Sequence, residues 1–384
     1  MKMSESSFEL SKQCKLMVDM HCFDSDISQG ITTYIQGIYT YLPSLAKEFT
    51  FFFVARDIEK IRAIFGERKN VNYIQIKSKN KFYRLVFEIP SIIRKYEIDI
   101  AHFQYVSPIV KNCKTIVTLH DILFVDYPQY FPFLYRLFKG FAFKISASRS
   151  DLLCTVSAYS LNQISYHYGI SKNKIVITPN AVSKDFFSII DKEIKAIDGQ
   201  EIGKYILYVS RIEPRKNHVA IVDAFERLKL ASRGYNLVFI GQETVSTPNL
   251  WHRIEKLSPE IKSRIRFISQ TSYEELKLWY KNASLFIYPT FAEGFGIPPI
   301  EAAACGVPVI CNNATAMSDF TFFGKNLIDI NDRSLLDCRI MDILDKKEQR
   351  IEAQIRAEIE AKYNWKNIAE SFYNNLSLFG LFKK

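Results

Sequence analysis

The chain has 384 residues, 48% hydrophobic and 24% charged, which is a soluble globular composition with room for two domains of roughly 150–200 residues each. No apolar run approaches the ~18 residues of a membrane span, Met1 to Gln13 lacks the apolar core of a signal peptide, and seven scattered cysteines without a Cys-x-x-Cys pair exclude a disulfide framework or a structural zinc site. Lys and Arg outnumber Asp and Glu by 51 to 41, and this charge of +10 suits phosphorylated substrates or an anionic membrane face, since no nucleic-acid-binding motif accompanies it.

In chain order, strands are expected at Leu16 to Cys22, Phe49 to Ala55, Val71 to Ile76, Ile98 to Phe103, Lys114 to Leu119 and Asp151 to Val156, from their length and β-branched content. Helical patterns lie between them near Gly30 to Lys47, Lys81 to Lys95 and Phe133 to Ala147. After a charged break from Ser183 to Lys204 the alternation restarts. Strands at Tyr205 to Val209, Leu237 to Ile240, Ile265 to Ile268, Leu285 to Tyr288 and Val307 to Cys311 enclose helices near Asn217 to Lys229, Tyr273 to Lys281 and Ile297 to Ala304. Such alternation predicts parallel sheets covered by helices on both faces, binding ligands at the carboxyl ends of their strands. Beyond about Leu335 the chain reads as helical to its end.

The densest chemistry lies between Tyr288 and Ile310. A glycine-flanked loop, Glu293-Gly294-Phe295-Gly296, opens a helix of small residues, so free backbone N–H groups can face an anion or a polyol. Glu293 and Glu301 bracket that loop. Ionised carboxylates only accept hydrogen bonds, which suits a hydroxyl-rich ligand, although Glu293 also fits simple compensation of the helix dipole. Upstream, Ser210 to His218 follows a strand and opens a helix, and Arg211 and Lys216 there fit either an anion site or a solvated basic loop. Gly30 opens the first helix, where it permits close backbone approach or merely eases a turn. His120 and Asp121 end a strand. Two segments, Lys77 to Arg94 and Phe131 to Arg149, mix basic and large apolar residues, so each is either a membrane-surface helix or a helix packed on its own sheet with a solvated basic face.

The run Glu-Gly-Phe-Gly-x-Pro-x-x-Glu-Ala-x-Ala-Cys-Gly-x-Pro-Val-Ile from Glu293 to Ile310 resembles, without a gap, the signature of glycosyltransferase family 4. That family has the two-Rossmann GT-B fold. The resemblance implies residues 1–183 as an acceptor domain, 204–364 as a donor domain facing it across a cleft, and 365–384 as a helix crossing back. It implies Arg211 and Lys216 on the donor diphosphate, Glu293 on the donor sugar, Glu301 on the ribose, and backbone N–H groups of Gly294, Phe295 and Gly296 on sugar and phosphate. Gly30 would belong to the family's glycine-rich loop, His120 would touch the sugar or reaction centre, and Asp121 would orient His120 or meet the acceptor. The implied reaction is retaining transfer of a hexose from GDP-mannose or a UDP-glucose type donor to a saccharide or lipid-linked saccharide, with no metal or cofactor. Asp24-Ser25-Asp26 reads as turn chemistry rather than as a metal motif. Ser318-Asp319-Phe320 departs from the family's usual Pro-Glu-Val. The expected location is cytoplasmic, with peripheral contact at the inner membrane face. A sugar-nucleotide epimerase and a non-catalytic nucleotide-sugar scaffold stay open as alternatives.

Overall fold

The computed structural model describes residues 13–24, 30–188, 203–345, 351 and 353–382. Among these residues thirteen strands form two sheets. The first contains β1 (Cys14–Asp19), β2 (Phe49–Ala55), β3 (Val71–Gln75), β4 (Ile100–Gln104), β5 (Lys114–Thr118), β6 (Leu152–Thr155) and β7 (Ile175–Ile177), in the order β3-β2-β1-β4-β5-β6-β7. The second contains β8 (Lys204–Val209), β9 (Tyr235–Ile240), β10 (Ile265–Ile268), β11 (Leu285–Tyr288), β12 (Val309–Asn312) and β13 (Leu327–Ile328), in the order β10-β9-β8-β11-β12-β13. The pairings β1–β2, β1–β4, β8–β9 and β8–β11 are all parallel. Both sheets therefore reverse their strand order beside the first strand, as doubly wound sheets do. Central strands such as Phe49–Ala55 are buried on both faces, which is why they read as unbroken apolar runs rather than as alternating ones.

Two compact units are present. One comprises Met1–Leu119, Ala142–Cys154 and Ala369–Lys384; the other comprises His120–Phe141 and Thr155–Ile368. The C-terminal helix Trp365–Leu378 thus ends inside the first unit, where the Phe372 ring stacks on His102 at 5.5 Å. That imidazole is fully buried, and its ring nitrogens meet Tyr39 Oη at 2.7 Å and Thr118 Oγ1 at 2.8 Å.

Local differences from the sequence expectation have physical causes. The first strand stops at Asp19 because the chain tightens into a 3-10 turn, with Phe23 N donating to Met20 O at 3.0 Å. The strand expected from Val307 starts at Val309, since Pro308 has no N–H for the ladder. The Lys81 to Lys95 helix contains a π-helical turn over Arg84–Glu88. Its Arg84 is buried against Asp19, with Nη1 2.6 and 2.7 Å from the two carboxylate oxygens. Ser25 and Asp26, the stretch from Ile27 to Gln29, and most of the Ser183 to Lys204 break lie outside the described residues. Asp24 is described, and it is a structural acceptor taking the N–H groups of Arg56 at 2.9 Å and Asp57 at 3.2 Å.

Candidate active site

Within the second unit, the loop after β8 and the loop after β11 lie side by side. The first tightens into a 3-10 turn, Pro214–Lys216, that ends on Asn217 in the left-handed region at φ 54°. Asn217 tolerates that conformation better than most residues, and its Nδ2 donates to Pro289 O at 3.3 Å. Gly241 faces the same loop so closely that a Cβ there would lie 2.0 Å from Ser210 O. The turn buries Arg215 and Lys216, while the Arg211 side chain stays 49% exposed and lies 3.8 Å from Glu213.

Glu293 is the hub. Its carboxylate receives the Lys216 ammonium, has Arg215 Nη1 at 3.3 Å, and accepts from Tyr288 Oη at 3.1 Å and Thr290 Oγ1 at 3.0 Å. Its own N–H donates to Thr315 Oγ1 at 2.9 Å. Burial alone would raise the Glu293 carboxyl, but Lys216 and then Arg215 outweigh it and hold it at about 2. Burial lowers the Lys216 ammonium, against the pull of Glu293. Arg215 is doubly committed, reaching Glu213 at 2.5 Å as well as the Ala292 carbonyl. The only sequence signal for Arg215 was its position next to Lys216.

Glu301 has a different setting. On the helix Ile297–Ala304 it accepts from Tyr280 Oη at 2.9 Å, and burial outweighs that hydrogen bond and pushes its carboxyl up to about 7. Gly296 caps that helix at φ 94°, a conformation that favours glycine. The Phe295 ring is core, edge-on to Phe320 and Tyr363 at 5.6 Å each, so only its backbone is available to a ligand.

Gly294 closes the arrangement. A Cβ on it would stand 2.7 Å from both Cβ and Oδ2 of Asp121, so this glycine is set by the approach of the His120-Asp121 segment. Its carbonyl accepts from Ser157 Oγ at 2.7 Å and Ser160 Oγ at 3.3 Å, and Ser160 also donates to His120 O at 2.9 Å. Asp319, in the atypical Ser-Asp-Phe stretch, accepts from Ala158 N at 3.1 Å. The helix Ala158–Tyr168 therefore begins on the loop that holds Glu293 and Gly294. Sequence reading missed this clasp, because serines at a helix start signal only a cap. Burial lowers the His120 imidazole to about 3, so it is neutral at neutral pH. Burial also raises Asp121.

The structure thus gathers His120, Asp121, Lys216, Glu293 and Gly294 into one network, with Arg211 beside Glu213 at its exposed edge. Phe295, Gly296 and Glu301 follow directly in the chain. Gly30, in the first unit, opens the helix Gly30–Leu45, where a Cβ would meet nothing within 4 Å; packing alone does not demand a glycine there. No group of three His, Cys, Asp or Glu side chains able to hold a metal ion occurs among the described residues.

Residues 190–359 match the glycosyl transferases group 1 family, and residues 28–186 match glycosyltransferase family 4. O-antigen chain mannosyltransferase B of Escherichia coli is 29% identical over 275 residues, 69% of this chain and 70% of that protein. O-antigen chain mannosyltransferase RfbU of Salmonella typhimurium is 29% identical over 273 residues, 70% of each. Among solved structures, Anabaena HepE in complex with UDP-glucose superposes with a TM-score of 0.73 at 15% identity, covering 95% of this chain and 99% of that one, a likeness of fold. With two parallel-sheet α/β units and both family signatures in chain order, the chain belongs to the group 1, family 4 type glycosyltransferases of GT-B fold.

Proposed function

We propose that the chain is a retaining hexosyltransferase that takes mannose from GDP-mannose and adds it to a lipid-linked saccharide in bacterial polysaccharide synthesis. The observation that carries this is the pairing of Lys216 with Glu293 beside a glycine loop and a helix N-terminus. It sets a cation for phosphate and an acceptor for sugar hydroxyls within one contact. The two O-antigen mannosyltransferases, at 29% identity, favour mannose over glucose.

In this reading the donor diphosphate lies against Arg211 and Lys216, and Glu293 accepts hydrogen bonds from the sugar. Glu301 accepts from the ribose. The acceptor oxygen attacks the anomeric carbon from the face the diphosphate leaves. The bond to the phosphate oxygen breaks, its electron pair stays on that oxygen, and the same oxygen takes the acceptor's proton. Negative charge grows on the diphosphate, where the two side-chain cations act, so the reading requires no metal and no further cofactor. Neutral His120 offers a hydrogen bond near the sugar without adding charge, and Asp121 orients it. Gly30 would admit a ligand close to the backbone of the first unit. The enzyme would work in the cytoplasm at the inner face of the membrane.

Calorimetry with GDP and UDP, each with and without magnesium, tests the assignment. GDP should bind without the metal, and Arg211→Ala should abolish that binding while leaving the fold intact. Binding of neither nucleotide would overturn the proposal.

A further inference from the structure

The helix Phe133–Arg149 is built inside out over its first half. Phe133, Leu134, Leu137, Phe138 and Phe141 are 58–71% exposed, and no residue before Phe143 is buried. At ~100° per residue those five side chains share about 140° of arc, so they form a single outward stripe. The opposite side carries Arg136 and Lys139, half-buried and folded over the helix's own rings, with Arg136 5.5 Å above Phe133 and Lys139 5.8 Å above Tyr135. A surface helix normally shows the reverse arrangement.

Charge says what covers the stripe. The helix holds four cations, Arg136, Lys139, Lys144 and Arg149, and no acidic residue. On the same wheel Lys144 lies at about 20°, closing the stripe along the helix axis one turn beyond Phe141, and Arg149 lies beside it at about 160°. Exposed Ile109 and Val110 lie at the helix end, where Arg149 Nη2 donates to Ile109 O at 3.1 Å and Lys111 Nζ donates to Arg149 O at 3.1 Å. A second copy on this face would bring cation against cation about the two-fold axis. An apolar stripe bordered by Lys and Arg instead fits the boundary between anionic headgroups and acyl chains. No helix among the described residues is long and apolar enough to cross a membrane, so this is a surface mode of contact.

We propose that the outward face of the Phe133–Arg149 helix inserts into the headgroup–acyl boundary of an anionic bilayer, with Phe138 and Phe141 as the principal anchors. Tyr135, 41% exposed next to the stripe, has its phenol raised by burial and by Asp121 and lowered by Arg211, so the anchor sits within electrostatic reach of the site. An acceptor held in that bilayer would be presented where Asp121 and Arg211 lie. That last step rests on the transferase reading; the insertion itself does not.

Flotation with vesicles of phosphatidylethanolamine and phosphatidylglycerol (3:1) tests the anchor, using the full chain. Wild type should float. Phe138→Ser with Phe141→Ser should lower the partition coefficient by roughly 100-fold, about tenfold for each ring withdrawn from the bilayer. Lys144→Glu should cost a few-fold, an effect that high salt erases. Equal flotation of wild type and the double variant overturns the proposal, as does wild type that ignores the vesicles. Conversion of a dimer to a monomer by the double variant, read by light scattering, overturns it in favour of a second copy. Nucleotide binding is measured on the same samples. If it is absent from both proteins while flotation holds, the transferase reading falls and the anchor stands.

Discussion

Glu293 and Glu301 are one motif's two glutamates, and their surroundings give them opposite character. The first lies among Lys216, Arg215, Tyr288 and Thr290 and is held at about 2. The second accepts from the Tyr280 phenol, lies within reach of the Asp185 charge and rises to about 7. Burial pushes both upward, and at Glu293 the cations, Lys216 first, reverse it. The loop end of the motif is thus a fixed charge and the helix end a proton-exchanging group. In the proposed reading the fixed charge would serve the sugar end of the donor and the titratable contact its ribose end.

The largest expected effect comes from breaking the fixed pair. Lys216→Ala should lower kcat/KM by about 10²–10³-fold, because in the proposed reading it removes a cation aimed at growing phosphate charge. Glu293 would keep Arg215 at 3.3 Å, so the fold should survive, as circular dichroism would show. Transfer within threefold of wild type would separate this pair from the chemistry.

An intermediate effect sharpens the contrast through pH. The Glu293 carboxyl lies below its ordinary 4.5, so its contribution to stability is present above that value and is lost as pH falls towards 2. Glu301 lies above 4.5, so its contribution is present below that value and is lost as pH rises through about 7. Glu301→Gln should therefore flatten the decline in stability between pH 4.5 and 7 and leave the acid limb alone. If Glu301 binds the ribose as a carboxylate, nucleotide affinity in wild type should rise with pH through 7, and the variant should lose that slope. Parallel pH profiles for the two proteins would remove Glu301 from the site.

Much of this was legible in the chain. Both sheets were readable from short apolar runs at regular spacing, and the Glu293–Gly296 loop from its glycines. The fringe was not: β7 has three residues and β13 two, too short for any periodic signal. Nor were the partners of Glu293 legible, because Tyr288, Thr290 and Thr315 read as strand and turn residues until the loops fold back. The basic-apolar segment at Phe131 to Arg149 was equally undecided. The pattern shows that a helix is amphipathic, and only the packed structure shows which face is left outside.

The smallest effect tests the clasp that links Gly294 to the helix Ala158–Tyr168. Ser157 Oγ accepts from Ser160 N at 3.1 Å and donates to Gly294 O at 2.7 Å, so one hydroxyl both caps a helix and pins the sugar-side loop. Ser157→Ala should cost about 1 kcal/mol as a lost cap, or roughly 2–4 °C in Tm. If the hydroxyl served only the helix, binding would not change. If it holds the loop, the alanine variant should bind GDP as wild type does, since Arg211 and Lys216 are untouched. It should bind GDP-mannose a few-fold more weakly, since the proposed reading sets Gly294 and Glu293 against the sugar. Ser157→Thr retains the hydroxyl and should restore most of the difference. Affinities equal to wild type for both GDP and GDP-mannose would mean that the serine supports the helix alone.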